Sequence, residues 1–581
     1  MIRNHKIQYI GSWVIMIFKH RRPRVESEAE TIISKDEFYL TKGLSREQVD
    51  LMDACAALED EDKLVLRGII PQFAEKRGKE AKNIQLRKAQ IDPVLMSYLN
   101  KRFFIGDKPG LGKTVMSAAS YAYYGLMQLH DNLPLGKCIV VTETVHVVKF
   151  AKEWQSYGIN VLPLVDGSVK IQKALEEFDF DLHDGVVIGW DGLKTNGFID
   201  FYLNHHTQFT YGVFDETSKL LNPNSILYGV VDSIVNTYKG GLERVIFLNG
   251  TSFEKNIYDF YYQFNILQPK LIPTKKFLDD RYVVKATEQV YQRSQSGKAV
   301  RRQFGKIVDY KNQDELRERL KYYFIARSIE DFSDDIPEHN YKLHVVNMTK
   351  EQELLMEETK NVTILNSPKT TDATLELTLD TSPKLQALIK HYEETKLDRP
   401  IIYVYNIESQ KTIADELSKR GYRVAILNGE MSASEKAETL DAFNNKELDT
   451  LVFNVQKAAN IPTSDRILFY DIPTMPSHTS QIKARIDRNN YTTLKHYDFF
   501  CYYLSPEWVN LSRLGHFREY NSSEFTGQKD YVYASLIEQM NQYIDEETQQ
   551  GIDNLYKWAE DESKEFKDIE QKVSKLLGVI K

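Results

Sequence analysis

Residues 102–125 read RFFIGDKPGLGKTVMSAASYAYYG. A short apolar strand, 103–105, runs into Asp107-Lys108-Pro109-Gly110-Leu111-Gly112-Lys113-Thr114, and that loop opens a helix of small residues. Strand, glycine-bearing loop and helix in this order make a phosphate-binding loop. Gly110 and Gly112 let the backbone around Leu111 approach phosphate oxygens, while successive amide hydrogens and the helix start form an anion nest. In such a loop Lys113 reaches the β- and γ-phosphates of ATP, and the Thr114 hydroxyl ligates Mg²⁺. Asp107 stands where the plain GxxxxGKT pattern has its first glycine.

A nucleotide held this way needs a second, acidic site. Tyr211-Gly212-Val213-Phe214-Asp215-Glu216 is an apolar strand that ends on two carboxylates. Asp215 is the expected Mg²⁺ partner of Thr114, and Glu216 the residue that polarises the attacking water. An Asp-Glu pair at a strand end is common alone; downstream of a phosphate loop it is specific.

Working outward, β-branched runs at 103–105, 138–142, 185–188, 211–214 and 245–248 alternate with longer amphipathic stretches. That rhythm predicts a parallel α/β sheet with its functional loops at the carboxyl ends of the strands. Residues 270–350 are charged and poor in glycine, and read as mostly helical. A second alternation follows, with strands at 401–405, 423–427, 451–454 and 466–470 and a later one in DFFCYYL. The expected organisation is an accessory domain (1–85), a first α/β lobe (86–275), a helical linker (276–379), a second α/β lobe (380–505) and a helical tail (506–581).

Composition limits the classes of function. With 581 residues, 42% hydrophobic and 27% charged, the chain is long enough for two or more ordinary globular cores. Three widely spaced cysteines, Cys55, Cys138 and Cys501, form neither a zinc knuckle nor a disulfide framework, which suits a reducing, cytoplasmic compartment. The apolar run 7–18 is too short for a membrane span of roughly 20 residues. It contains Gln8, Gly11 and Ser12, and no small-residue cleavage site follows before Lys19, so a buried strand is expected there instead of a leader or anchor. The net charge of −8 leaves room for a local basic groove, for which residues 19–24 (KHRRPR) and 298–306 (KAVRRQFGK) are candidates; solvated surface is the plainer reading of both.

With the two anchors in place, the chain resembles the Swi/Snf family of superfamily-two helicase-like DNA translocases. Leu86-Arg87-Lys88-Ala89-Gln90 resembles the upstream glutamine motif, whose Gln reads adenine, and Asp107–Thr114 matches the family's phosphate loop, which itself begins with Asp. Ile139-Val140-Val141-Thr142 with Lys152-Glu153-Trp154, and Val186–Trp190, resemble the next motifs. Asp215-Glu216-Thr217-Ser218-Lys219-Leu220-Leu221-Asn222 is similar to the DEAH-box stretch. Leu248-Asn249-Gly250-Thr251-Ser252, with Asn256 and Leu267-Gln268-Pro269, is close to the coupling motif. In the second unit Ile401–Val404 and Leu427-Asn428-Gly429 fall where motifs IV and IVa lie, and Gln481-Ile482-Lys483-Ala484-Arg485-Ile486-Asp487-Arg488 fits Q-x-x-x-R-I-x-R. The resemblance spans roughly residues 86–505.

The resemblance implies two RecA-like parallel-sheet lobes in tandem with helical additions at both ends, and ATP and Mg²⁺ as cofactors. It implies Gly250, Thr251 and Gln481 as coupling residues. An arginine of the second lobe, Arg488 with Arg485 beside it, would neutralise γ-phosphate charge as the lobes close. Two positions depart from the family: Ser218 stands where it has His, and Val455–Ile461 replaces its glycine-rich motif V. The expected function is an ATPase that translocates on nucleic acid, duplex DNA above all, and displaces bound proteins, with possible protein docking through 1–85 or 506–581. A nucleotide-gated binding module with little turnover, and an RNA- or transcription-directed motor, are the alternatives.

Overall fold

The computed structural model describes residues 64–165, 167–237, 241–250, 257–293, 299–327, 339–359, 382–454, 461, 463–473, 476–486, 494–503, 505–516 and 531–544. The chain divides into two compact units, one of residues 1–278 with 313–327, the other of 279–312 with 328–581.

The first unit is built on seven strands: β1 (Arg102–Ile105), β2 (Lys137–Thr142), β3 (Val161–Leu164), β4 (Gly185–Gly189), β5 (Phe209–Asp215), β6 (Arg244–Leu248) and β9 (Phe324–Ile325). Their order is β3-β4-β2-β5-β6-β1-β9, and every pairing is parallel. The central strands are apolar on both faces because helices cover both sides; Val140, Val187, Val213 and Phe247 are fully buried. Register decides what this sheet can do. Asp215 lies opposite Leu248, and Leu248 opposite Ile105, so the ends of β5, β6 and β1 sit side by side on one edge.

The second unit holds six parallel strands in the order β10-β15-β14-β11-β13-β12. They are β10 (His339–Val346), β11 (Ile401–Tyr403), β12 (Val424–Leu427), β13 (Thr450–Phe453), β14 (Arg466–Phe469) and β15 (Lys495–Tyr502). The chain thus carries two parallel α/β sheets, the tandem RecA-like arrangement expected. One face of the second sheet packs on the helices Pro506–His516 and Tyr531–Met540 through Trp508, Leu511, Leu536 and Met540. The other packs on Pro383–Thr395 and Ile407–Lys419.

Three expectations need correction. Residues 276–379 do not form a helical linker: β7 (Val283–Arg293) and β8 (Ala299–Tyr310) pair as an antiparallel hairpin, and β9 and β10 join the two sheets. Among the described residues there, the helices are Gln313–Leu320, from the NQDELRERLKYY segment, and Lys350–Thr359, apart from the end of Lys275–Tyr282. Charge and the scarcity of glycine suggested helix, but Val283, Val284, Val290, Tyr291, Val300, Phe304 and Ile307 supply β-branched and aromatic residues to the hairpin. Second, β3 escapes the pattern because Pro163 interrupts it; the strand lies at the sheet edge, where a missing N–H costs little. Third, the helix Ile69–Lys76, expected in a separate N-terminal domain, packs on the helix Lys113–His130. The Phe73 ring lies against Gly125, where a Cβ would stand 2.3 Å from it, and meets Tyr121 edge-on at 6.1 Å. The expected strand at 7–18, the basic run 19–24, motif V (455–460) and the terminal helix from 545 onward lie outside the described residues. Among the described residues no helix is long and apolar enough to cross a membrane.

Candidate active site

The loop after β1 turns through two left-handed glycines, Gly110 (φ 102°) and Gly112 (φ 84°), before the helix Lys113–His130 begins. Both positions need glycine for their backbone angle. Gly112 needs it for space as well, since a Cβ there would stand 2.4 Å from Gln90 Nε2. Leu111 is buried, and its carbonyl accepts a hydrogen bond from Gln90 Nε2 at 2.9 Å. The Lys113 ammonium donates to the carbonyl of Asp107 at 2.7 Å, folded back on its own loop. Thr114 sits in the first turn of the helix, its carbonyl accepting from Ser117 Oγ.

Two residues expected at the cofactor have other occupations. Gln90 was expected to read adenine; its side chain is buried, with Oε1 accepting from the Arg87 N–H at 3.0 Å while Nε2 props the phosphate loop. Asp107 is fully buried. Its carboxylate accepts from the Arg327 backbone N–H (3.0 Å), Nε (3.1 Å) and a terminal guanidinium nitrogen (2.5 Å). A carboxylate pointed into an anion cradle would repel phosphate, whereas one held by arginine fixes the loop from beneath.

The acidic pair closes the next strand end. Asp215 Oδ2 accepts from the buried Thr142 hydroxyl at 2.9 Å, and its carbonyl accepts from Trp190 Nε1 at 3.0 Å. Thr142 on β2 thereby orients the carboxylate at the end of β5, while Trp190 after β4 holds its backbone. Glu216 takes φ 58° and ψ 53°, a left-handed conformation that a side-chain-bearing residue adopts at a cost on the order of 1 kcal/mol.

The end of β6 meets the loop directly. A Cβ on Gly250 would lie 3.0 Å from the Pro109 ring and 3.6 Å from Lys113 Nζ. Thr251, its expected coupling partner, lies outside the described residues. A residue that sequence reasoning missed joins these elements. Gln263 is wholly buried on the helix Ile257–Leu267 and accepts from the Thr217 hydroxyl at 2.6 Å and from Asn249 Nδ2 at 3.4 Å. It thus ties the residue after Glu216 to the residue before Gly250. Its only sequence signal is an amide, one of two with Asn265, on the largely apolar and aromatic helix IYDFYYQFNIL.

In the second unit Gln481 belongs to the helix Pro476–Lys483, partly exposed. Arg485 follows it and is 4% exposed, its backbone N–H donating to Ile482 and its carbonyl accepting from Ile461. Arg488 lies outside the described residues.

The chemistry of this donor set suits a magnesium nucleotide: an amide-lined turn, an ammonium, a hydroxyl and two consecutive carboxylates at the end of β5. The SNF2-related domain family matches residues 97–394, and the helicase conserved C-terminal domain matches residues 383–490. Human TATA-binding protein-associated factor 172 is 24% identical over 273 residues, covering 44% of this chain and 14% of that protein. The ATP-dependent RNA helicase DeaD of Buchnera aphidicola is 33% identical over 93 residues, 16% of this chain and 15% of that protein. The chain therefore spans about a seventh of the length of these curated relatives. A solved Sulfolobus solfataricus SWI2/SNF2 ATPase core in complex with dsDNA is similar at 15% identity and a TM-score of 0.35, covering 80% of this chain and 98% of that one.

Proposed function

The chain belongs to the SNF2-related family of helicase-like ATPases, and from that membership we propose that it is a motor that hydrolyses ATP to translocate on duplex DNA and displace bound proteins. ATP-dependent movement on nucleic acid is the general activity of the family; duplex DNA and protein displacement are the specific reading. The observation that supports its ATP chemistry is the register of β5, β6 and β1, which sets Asp215 and Glu216, Gly250 and the Lys113 loop on one sheet edge.

The roles follow from the residues. The amides from Gly110 to Lys113 cradle phosphate oxygens and Lys113 offsets their charge, exchanging its bond to the Asp107 carbonyl for the nucleotide. Thr114 and Asp215 would hold Mg²⁺, which would supply neutralisation of phosphate charge there. Thr142 keeps the Asp215 carboxylate in one orientation, and Glu216 orients the attacking water. Arg488, with Arg485 beside it, is the candidate arginine finger, which would make hydrolysis depend on closure of the two units. Contacts to the polymer go mainly to phosphates, so binding is tolerant of sequence and sensitive to salt.

The test is ATP hydrolysis by the purified chain, alone and with duplex DNA, single-stranded DNA or RNA, at two salt concentrations. Stimulation strongest with duplex DNA and weaker at high salt supports the proposal. Stimulation by RNA alone redirects it to an RNA motor. ATP binding with no turnover on any polymer replaces it with a nucleotide-gated binding module.

A further inference from the structure

A cluster in the second unit, within its own sheet and helices, has no place in nucleotide chemistry. His344 on β10, Asp498 on β15 and His391 on the helix Pro383–Thr395 converge on the helix-covered face of the sheet. His344 Nε2 stands 2.8 Å and His391 Nε2 3.3 Å from the same oxygen, Oδ1 of Asp498. The first contact is a hydrogen bond. The second lacks hydrogen-bond alignment, and His391 Nε2 is a buried nitrogen with no hydrogen-bond partner. A polar atom in that state carries a free-energy cost unless something else satisfies it.

We propose that His344, His391 and Asp498 form a site for one divalent first-row transition-metal ion, Zn²⁺ by the character of its donors. The three ligand atoms already lie within 4.8 Å of one another. Ligands at about 2.0–2.2 Å from a tetrahedral zinc stand roughly 3.3 Å apart, so only small side-chain movements separate this cluster from coordination. Two imidazoles and one carboxylate are a common protein contribution to zinc, with the fourth position left to water. Among the described residues it is the single cluster of three or more His, Cys, Asp or Glu side chains close enough to hold an ion.

The surroundings have the features of an outer shell. His391 Nδ1 faces Glu394 Oε2 at 3.8 Å, placing a carboxylate behind an imidazole ligand. The His344 ring stacks on Phe500 at 4.6 Å and 10°, which fixes its plane. Arg466 holds the other oxygen of Asp498, and its own charge is balanced by Asp398 at 2.8 Å. One negative charge is therefore left over to meet a cation. A bound ion would staple β10, the strand that brings the chain into this sheet, to β15 and the covering helix.

The proposal is independent of ATP and is tested on the full chain. Protein stripped with a strong chelator is titrated with Zn²⁺ against a chromophoric chelator, and with Co²⁺ while the visible absorption is followed. We expect one equivalent of zinc, a Co²⁺ spectrum of the four-coordinate type, and a rise in the thermal midpoint on binding. His391→Gln leaves the His344–Asp498 hydrogen bond in place and should weaken zinc binding at least about tenfold with unchanged far-UV circular dichroism. His344→Gln is the second variant should the first misfold. Absence of stoichiometric zinc binding and of a four-coordinate Co²⁺ spectrum in the parent chain overturns the site, as does full-strength binding in both folded variants.

Discussion

Arg327 grips the carboxylate of Asp107 through its backbone N–H and two guanidinium nitrogens, and so fastens the entry of the phosphate loop to the strand end of β9. Asp107 is fully buried, and Arg327 is the last residue of the first unit before the chain passes into the second.

Removing one partner of a buried pair leaves the other uncompensated. Arg327→Ala should destabilise the first unit by about 3–5 kcal/mol, and Asp107→Asn in the same chain should recover part of that loss. Urea unfolding of the two variants and the parent is the measurement; a loss under about 1 kcal/mol in Arg327→Ala would show that the pair matters little.

Lys113→Ala removes the ammonium that now bonds to the Asp107 carbonyl. Hydrolysis of ATP should fall to background while circular dichroism and the thermal midpoint stay close to the parent. Undiminished turnover would rule out this loop as the nucleotide site.

Gln263 joins Thr217 to Asn249, and Gln263→Leu leaves both without that acceptor. Stability should fall by about 1–3 kcal/mol. The sharper expectation is that basal hydrolysis persists while stimulation by polymer is largely lost. A stimulated-to-basal ratio equal to the parent's would show that Gln263 serves packing alone.

Arg488→Ala should spare nucleotide binding, read with a fluorescent ATP analogue, and remove hydrolysis. Loss of binding with it would place this side chain in nucleotide affinity instead of turnover.

Asp471 in the second unit is buried, and its carboxyl is pushed up to about 6 by burial, against the pull of Lys384 and with the added push of Glu507. A folded value above the unfolded one near 3.9 means that the stabilising contribution is complete at low pH and is lost as pH rises through about 6. Lowering the pH from 7 to 5 should therefore stabilise the parent, relative to Asp471→Asn, by roughly 1 kcal/mol. Equal pH dependence in the two chains would place the carboxyl in an ordinary range.

The sequence makes the first sheet legible where its strands are buried on both faces. Val140, Val187, Val213 and Phe247 belong to unbroken apolar runs that only a covered parallel strand explains. The phosphate loop and the Asp215-Glu216 pair are legible too, because their chemistry depends on local spacing. What escaped depends on distant partners. β9 is two residues long and exists only because β1 offers an edge, and Pro163 hides β3. Nothing near Gln263, Arg327 or His391 in sequence announces the partner each meets across the fold. The partners of Asp107 and Gln90 were illegible for the same reason, since both side chains turn toward neighbours that spacing cannot reveal.

The return of the chain to lay down β9 sets an order on synthesis. Until residues 313–327 leave the ribosome, β1 is the open border of the first sheet, and the amides of Phe104, Gly106 and Lys108 lack the carbonyls of Tyr323, Ile325 and Arg327. The hairpin β7–β8 must emerge before that border is sealed. In the second sheet β10 similarly awaits β15, its neighbour among the described strands. A nascent chain therefore spends much of its translation with an unfinished sheet edge, the surface most open to pairing with another molecule. Fragments cut short before residue 313 should accordingly aggregate even though every expected nucleotide-binding residue of the first unit is present in them.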